Sequence, residues 1–188
     1  MTKREEIYEK ALSLFMEAGY DFTPMSRLAR ELNLTKAGLY HYFGSKQELL
    51  FLIHEHYLNR DFIPIIEAAK EIADPQELIA YFLRNYTKLI AKDAAGRVLI
   101  HEVRRLKPEH RRRIIKVWKR AFELIRNAIK EMERSGRAKR MNPAYATFAA
   151  IGMCSWIFYW FDYSRSESAE ELSESLVEIF FRGLSTEK

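Results

Sequence analysis

The sequence predicts an all-α fold in two parts: a small three-helix domain over residues 1–48 and a larger helical domain over 49–188. Three observations predict it. Apolar residues recur at helical spacing along nearly the whole chain. N-terminal capping signals punctuate it at Thr35, Ser45, Asp74, Asn142 and Ser168. Glycine and proline are scarce, seven and five in 188 residues, and no strand-like alternation stands between turn residues.

Residues 2–18 form an amphipathic helix, with Ile7, Ala11, Leu14, Phe15 and Ala18 inside and Gly19 as its stop. The stretch TPMSRLARELNLTKAGLYHYFGSKQELL, residues 23–50, then packs two short helices and the start of a third into little space. Thr23 is a natural cap, and Pro24 suits a first helical position. Leu28, Ala29 and Leu32 make one apolar face, and Asn33-Leu34 makes the turn. Thr35 caps the second helix, where Leu39 and Phe43 face the core and Lys36, Ala37, Tyr40 and His41 face away. Ser45 to Glu48 reads as a capping box for the third.

Two short helices joined by a tight turn form a helix-turn-helix, whose second helix fits the major groove of DNA. The outward face suits that task. Lys36 reaches phosphates or a guanine edge, small Ala37 and Gly38 allow close approach, and Tyr40, His41 and Tyr42 offer hydrogen-bonding groups. Thr23, Ser26, Thr35 and Lys46, at helix starts, complete the candidate DNA-binding set. The run LxRELNLTKAGLYHYFGSKQELL, so near the start of the chain, resembles the TetR family of transcriptional regulators. Its most specific part is Leu39-Tyr40-x-Tyr42-Phe43-x-x-Lys46-x-x-Leu49. Pro24-Met25 and Ser26 depart from the usual pattern. The resemblance implies double-stranded operator DNA as partner and a homodimer as the working form. It also implies a C-terminal domain that binds a small effector and dimerises.

The rest of the chain continues in helices. One runs from Ser45 towards Ala69 with a kink expected at Pro64. Asp74-Pro75-Gln76-Glu77 opens another, which ends near Asp93, and a shorter one covers Ala94 to Leu106. Pro108 to Arg134 forms a long helix with Ile115, Trp118, Phe122, Ile125, Ile129 and Met132 inside. Asn142-Pro143 starts a helix with no charge from Ala144 to Phe161, and Ser168 caps the last. Apolar length and the tyrosines, Thr147, Gly152 and Ser155 suit burial between partners better than a membrane. Trp156 and Phe180 are expected at an intersubunit four-helix bundle.

Composition narrows function. With 48% hydrophobic residues the chain supports a sizeable core. The single cysteine, Cys154, excludes an internal disulfide, and the charged start MTKREEIYEK is no signal peptide, so a cytoplasmic protein is expected. No phosphate loop, catalytic constellation or metal set emerges. The spacing of His54 and His56 does not put both on one helical face. Neither an enzyme nor a cofactor-binding protein is expected.

Charge is distributed unevenly. Residues 1–48 hold seven basic and seven acidic residues, whereas 97–140 hold sixteen and five. Tyr81, Phe82, Tyr86, Trp118, Phe122, Phe148, Trp156, Phe158, Tyr159, Trp160 and Phe161 supply aromatic walls for a hydrophobic effector. Phe82, Tyr86, Trp118, Phe122 and Trp156 are the expected lining, with Arg104, Arg105 and Arg111 at an anionic mouth. The stretches HEVRRLKPEHR and NPAYATFAAIGMCSWIFYWFDY resemble the acyl-CoA-responsive branch of the TetR family, which implies an acyl-CoA effector. The sequence thus predicts a repressor released from its operator by such an amphiphilic anion. The alternatives are a repressor answering a drug-like hydrophobic ligand and a helical acyl-ligand carrier that does not bind DNA.

Overall fold

A computed structural model describes residues 2–92, 95–160 and 168–184, apart from the side chains of Ala95, Arg97 and Trp160. The aromatic Phe161 lies outside the described residues, as does the Trp160 side chain. The chain is all-α, without a strand among the described residues. It divides into two compact units: residues 1–58 with 94–115, and residues 59–93 with 116–188. The division expected at residue 48 falls inside a helix, and the N-terminal unit takes in a distant segment.

In the first unit, α1 (Lys3–Ala18) begins with a capping box. The Thr2 hydroxyl accepts from the Glu5 amide, and the Glu5 carboxylate accepts from the Thr2 amide. It packs against α2 (Met25–Glu31) and α4 (Lys46–Tyr57) through Ile7, Ala11, Leu12, Leu14 and Phe15, all buried. Between α2 and α3 (Lys36–Tyr42) the chain turns at Asn33, whose φ is 54°. Asparagine tolerates this left-handed conformation better than most residues.

The second segment of this unit comprises α7 (Ala95–Glu102), a 3₁₀ turn (Val103–Arg105) and the first residues of α8 (Pro108–Arg134). Helix α7 packs on α1. It is tied to α4 by His54, 2% exposed, whose Nδ1 and Nε2 each lie 2.7 Å from a carbonyl oxygen, of Leu50 and Leu99 respectively. Burial pushes the His54 pKa below its ordinary value, outweighing the two carbonyls and Glu102, which raise it. A neutral imidazole has one N–H and serves one of those carbonyls at a time.

The second unit gathers round α6 (Pro75–Lys92). Helices α5 (Ile63–Lys70), α9 (Pro143–Ser155), α10 (Ile157–Trp160) and α11 (Ala169–Leu184) all pack on it. The kink expected at Pro64 takes the form of a π-helical turn at Leu58–Phe62 just ahead of it. Proline lacks the N–H of a normal helical bond and its ring crowds the carbonyl four residues back, so a wider turn relieves both. Asp74 caps α6, accepting from the Gln76 and Glu77 amides at 2.9 Å each. The long apolar run breaks at Trp156 into α9 and α10 instead of continuing as one helix.

One expectation about the long helix shifts by one position. Ile114 is 1% exposed while Ile115 is 45% exposed. Further along, Ala121 and Ala128 face inward beside Ile125, Ile129 and Met132. Small alanines let neighbouring backbones approach, and a reading weighted by side-chain size misses them. Cys154 is a packed thiol: it accepts from the Thr87 hydroxyl at 3.3 Å, and burial pushes its pKa up to about 11.

Candidate nucleic-acid interface

Helix α3 is short, and its two sides differ completely. Leu39 is fully buried and Phe43, just past its end, is 1% exposed. Lys36, Ala37, Tyr40 and His41 are exposed. Thr35 caps the helix by accepting from the Gly38 amide at 2.9 Å. A Cβ on Gly38 would meet the Thr35 hydroxyl at 3.1 Å, so this turn stays compact because position 38 has no side chain. Tyr42 is half-buried, its ring 6.1 Å from those of both His41 and Phe43. Ser26 is exposed in the first turn of α2. Together these residues give a polar face with a slender backbone and one exposed cation at its start.

Two residues expected on that face turn inward. Thr23 is fully buried, and its hydroxyl donates to the carbonyls of Gly19 at 2.8 Å and Leu14 at 3.3 Å. It closes the end of α1, while α2 begins after Pro24 with no side-chain cap. Threonine before proline reads as a cap in sequence, but the carbonyls left over at the end of α1 take the hydroxyl. Lys46 is the second case. Its ammonium donates to the Tyr20 carbonyl and lies 4.1 Å from the centroid of the Tyr20 ring. Burial lowers its pKa, with Arg105 pressing the same way against Asp21 and Glu102. Glu48 also departs from the expected capping box: its amide donates to Ser45, but its carboxylate accepts from Gly44 at 3.0 Å.

The expected effector residues divide between the units. Phe82 is fully buried, and its ring lies 5.5 Å from that of Tyr86 and 6.2 Å from that of Phe62. The Tyr86 hydroxyl pairs with Ser155 at 3.1 Å, and burial raises its pKa to about 12. Trp118 and Phe122 are half-buried, with the Phe122 ring 4.8 Å from Phe148. Trp156 does not join this cluster. It is 61% exposed and lies against Tyr159, 4.9 Å between ring centroids, at the break where α9 ends. Phe180, expected at the same surface, is 6% exposed. Arg104, Arg105 and Arg111 belong to the first unit, and Arg105 already pairs with Asp21 at 2.5 Å and Glu102 at 2.6 Å.

The described residues contain no group of three or more His, Cys, Asp or Glu side chains able to hold a metal ion. Nor do they contain a helix long and apolar enough to cross a membrane.

Comparison with known proteins decides what this architecture belongs to. Residues 7–53 match the family described as bacterial regulatory proteins, tetR family. Residues 73–184 match the tetracyclin repressor-like C-terminal domain. The chain belongs to the TetR family. Among solved structures, the TetR-family regulator PfmR from Thermus thermophilus is 31% identical, with 94% of this chain and 97% of that chain covered and a TM-score of 0.87. AibR, in complex with isovaleryl coenzyme A and operator DNA, is 26% identical over 96% of this chain and 98% of that one, with a TM-score of 0.88. The regulator HbdR of Aromatoleum sp. strain CIB is 24% identical over 93% of this chain and 78% of its own length. As a TetR-family protein the chain is a DNA-binding transcriptional regulator and not an enzyme. Its α2–α3 pair is the helix-turn-helix within the matched segment.

Proposed function

We propose that the chain is a cytoplasmic, homodimeric repressor that binds a near-palindromic operator and is released from it by an acyl-CoA or a similar amphiphilic anion. The observation that carries the DNA contact is the exposed face of α3, where Lys36, Ala37, Tyr40 and His41 stand clear of a core that takes Leu39 and Phe43. Ser26, Thr35, Gly38 and Tyr42 border that face and contribute phosphate contacts or close approach. Two copies are needed because half-sites one helical turn apart call for two recognition helices roughly 34–36 Å apart. The dimer is supported by Tyr145, Phe148, Trp156, Tyr159 and Ile179, large apolar residues left exposed on α9, α10 and α11.

The effector is the finer part of the reading. It rests on the likeness to AibR, which is bound to isovaleryl coenzyme A, and on the cluster of Phe62, Phe82 and Tyr86, with the Tyr86–Ser155 pair as its polar group. The acyl chain occupies that cluster, and Trp118 and Phe122 of the same unit are the other expected lining. Release requires that the ester favour the state that fits DNA badly, since equal affinity for both states shifts nothing.

The test is a gel shift with duplexes selected by the protein itself, repeated with CoA esters of graded chain length, beside calorimetry with the same esters. Affinity should rise with length by up to ~0.8 kcal/mol per buried CH₂ until the space is full, and the shift should fade in parallel. Free CoA binding as tightly as the long esters would dismiss the acyl site. A tight ester that leaves the shift unchanged would dismiss the control of DNA binding.

A further inference from the structure

The basic segment after α7 lies in the same compact unit as the helix-turn-helix. That changes the electrostatics of the unit. Residues 1–58 carry seven Lys/Arg against eight Asp/Glu, whereas 94–115 carry seven against two. Most cations on 1–58 are already committed. Lys3, Lys10, Arg27 and Arg30 lie 2.9–3.9 Å from carboxylates, and Lys46 is turned to a carbonyl. Arg4 and Lys36 are left without an ionic partner among the described residues. A polyanion with one charge per ~1.7 Å of axis finds little to neutralise it there.

The segment 103–113 supplies what is missing. The side chains of Arg104, Lys107, Arg111 and Arg112 are exposed and have no ionic or hydrogen-bonding partner among the described residues. The backbone that carries them is fixed. Gln47, in the first turn of α4, donates to the Arg105 carbonyl at 2.9 Å. The Arg105 guanidinium pairs with Asp21 and lies 5.7 Å from the Tyr20 ring. His110 stacks on Phe51 with centroids 3.8 Å apart, and Arg113 pairs with Glu55 at 2.5 Å. Two arginines thus anchor the segment, and four cations around them are left free. Its anchor at Gln47 is five residues beyond the end of α3, where a helix lying in the groove hands over to the flanking backbone.

We propose that Arg104, Lys107, Arg111 and Arg112 form a second DNA-facing surface that attracts operator phosphates beside the recognition helix. The proposal rests on the reading of the chain as a DNA-binding regulator. The surface acts on affinity and association rate and not on base sequence, because unpaired guanidiniums at a phosphate carry no sequence information. Contact is not required for every member: at ~0.1 M salt a charge is felt over ~10 Å. The same arginines suit the phosphates of an effector, and the experiment separates the two.

Duplexes are selected from a random library by the wild-type protein. Its anisotropy-measured binding to the selected duplex and to a scrambled one is then followed from 50 to 300 mM salt. The R104A/R111A/R112A variant should weaken on both duplexes by the same factor, about tenfold per phosphate contact at 0.1 M salt, and its log–log salt slope should fall by ~0.9 per contact. Lysine at the three positions should restore most of both. Because the side chains are exposed and unpaired, thermal melting should be unchanged. Affinity and slope within twofold of wild type would overturn the proposal. So would a variant that keeps its DNA binding but loses its response to a CoA ester, which would assign the arginines to the effector. A fall in the ratio of selected to scrambled binding would overturn the backbone-only role. If the wild type binds no duplex at all, the regulator reading fails first, and separately.

Discussion

Each of the two units leaves one face open to water, and the faces are opposite in chemistry. On α3 the exposed side chains are Lys36, Tyr40 and His41 round an alanine. On α9 to α11 they are Tyr145, Phe148, Trp156, Tyr159 and Ile179. Water tolerates the first face at no cost, and only a charged or polar partner improves on it. Water penalises the second, so association with another apolar surface is what stabilises it. Inside, both units combine apolar packing with ring contacts. In the first unit, polar side chains also tie distant turns through backbone carbonyls: Thr23 to Leu14 and Gly19, Lys46 to Tyr20, His54 to Leu50 and Leu99. The second carries ion pairs between helices at its surface, Arg84–Glu174 and Lys88–Glu170.

The largest expected effect breaks the apolar face. Trp156→Glu should leave the protomer folded, because the ring is already 61% exposed. It should nevertheless raise the dimer dissociation constant by a hundredfold or more, since an unpaired charge buried in an interface costs ~3 kcal/mol or above. Sedimentation velocity reads the loss of dimer, and circular dichroism reads the retained helix. A wild-type monomer at micromolar concentration would remove the argument for that face altogether.

The next effect is smaller and lies within the first unit, where two residues that look alike in sequence should part company. Tyr40→Ala should weaken operator binding by ~1–3 kcal/mol and leave the melting temperature unchanged. Lys46→Ala should do the reverse for stability, removing a charged hydrogen bond worth ~1.5–3 kcal/mol. Any loss of DNA affinity should then track the loss of fold. If Lys46→Ala melts like wild type but fails to bind, its ammonium belongs to DNA and not to the Tyr20 carbonyl.

That contrast also marks how far the sequence is legible. The helices, the Asn33 turn, the Thr35 and Asp74 caps and the bounds of α8 follow from local signals, and local signals survive folding because they act within one turn. The face of α3 is legible for the same reason: seven residues suffice to put Leu39 inside and Tyr40 out. Thr23 and Lys46 are not, because their partners lie in α1 and the turn after it, and the spacing of nine and 26 residues carries no signature. The kinship of residues 94–115 with the N-terminal unit is hidden more deeply. It depends on Gln47 meeting Arg105 and Phe51 meeting His110, contacts across more than fifty residues that only tertiary packing creates. Trp156 is legible as apolar, but the pattern assigns it both to the effector lining and to the intersubunit bundle, since a helix apolar all round gives no direction from pattern alone.

The smallest expected effect concerns acid, and it separates the units once more. His54 in the first unit has its pKa lowered by burial, so the unfolded chain takes up a proton near the ordinary value of 6.5 before the folded one does. Stability therefore rises with pH there and is lost as pH falls below ~6.5. Asp74 in the second unit is held at about 2, against an ordinary 3.8, chiefly by Arg137 and by the amides it caps. Its contribution is present above ~4 and disappears as pH falls through about 2. Hydrogen exchange at graded pH should show the amides of residues 1–58 losing protection first, as pH falls below ~6.5. Those of 75–92 should hold until below pH 4. Asp74→Asn keeps a side chain that caps as well as aspartate and removes the charge together with an oxygen that accepts from Arg137. Its stability difference from wild type should shrink as pH falls through about 2, while the behaviour of the first unit stays the same. A His54→Gln variant whose first unit still loosened below pH 6.5 would show that another group carries the response, and the two carbonyls it meets would then be no source of pH sensitivity.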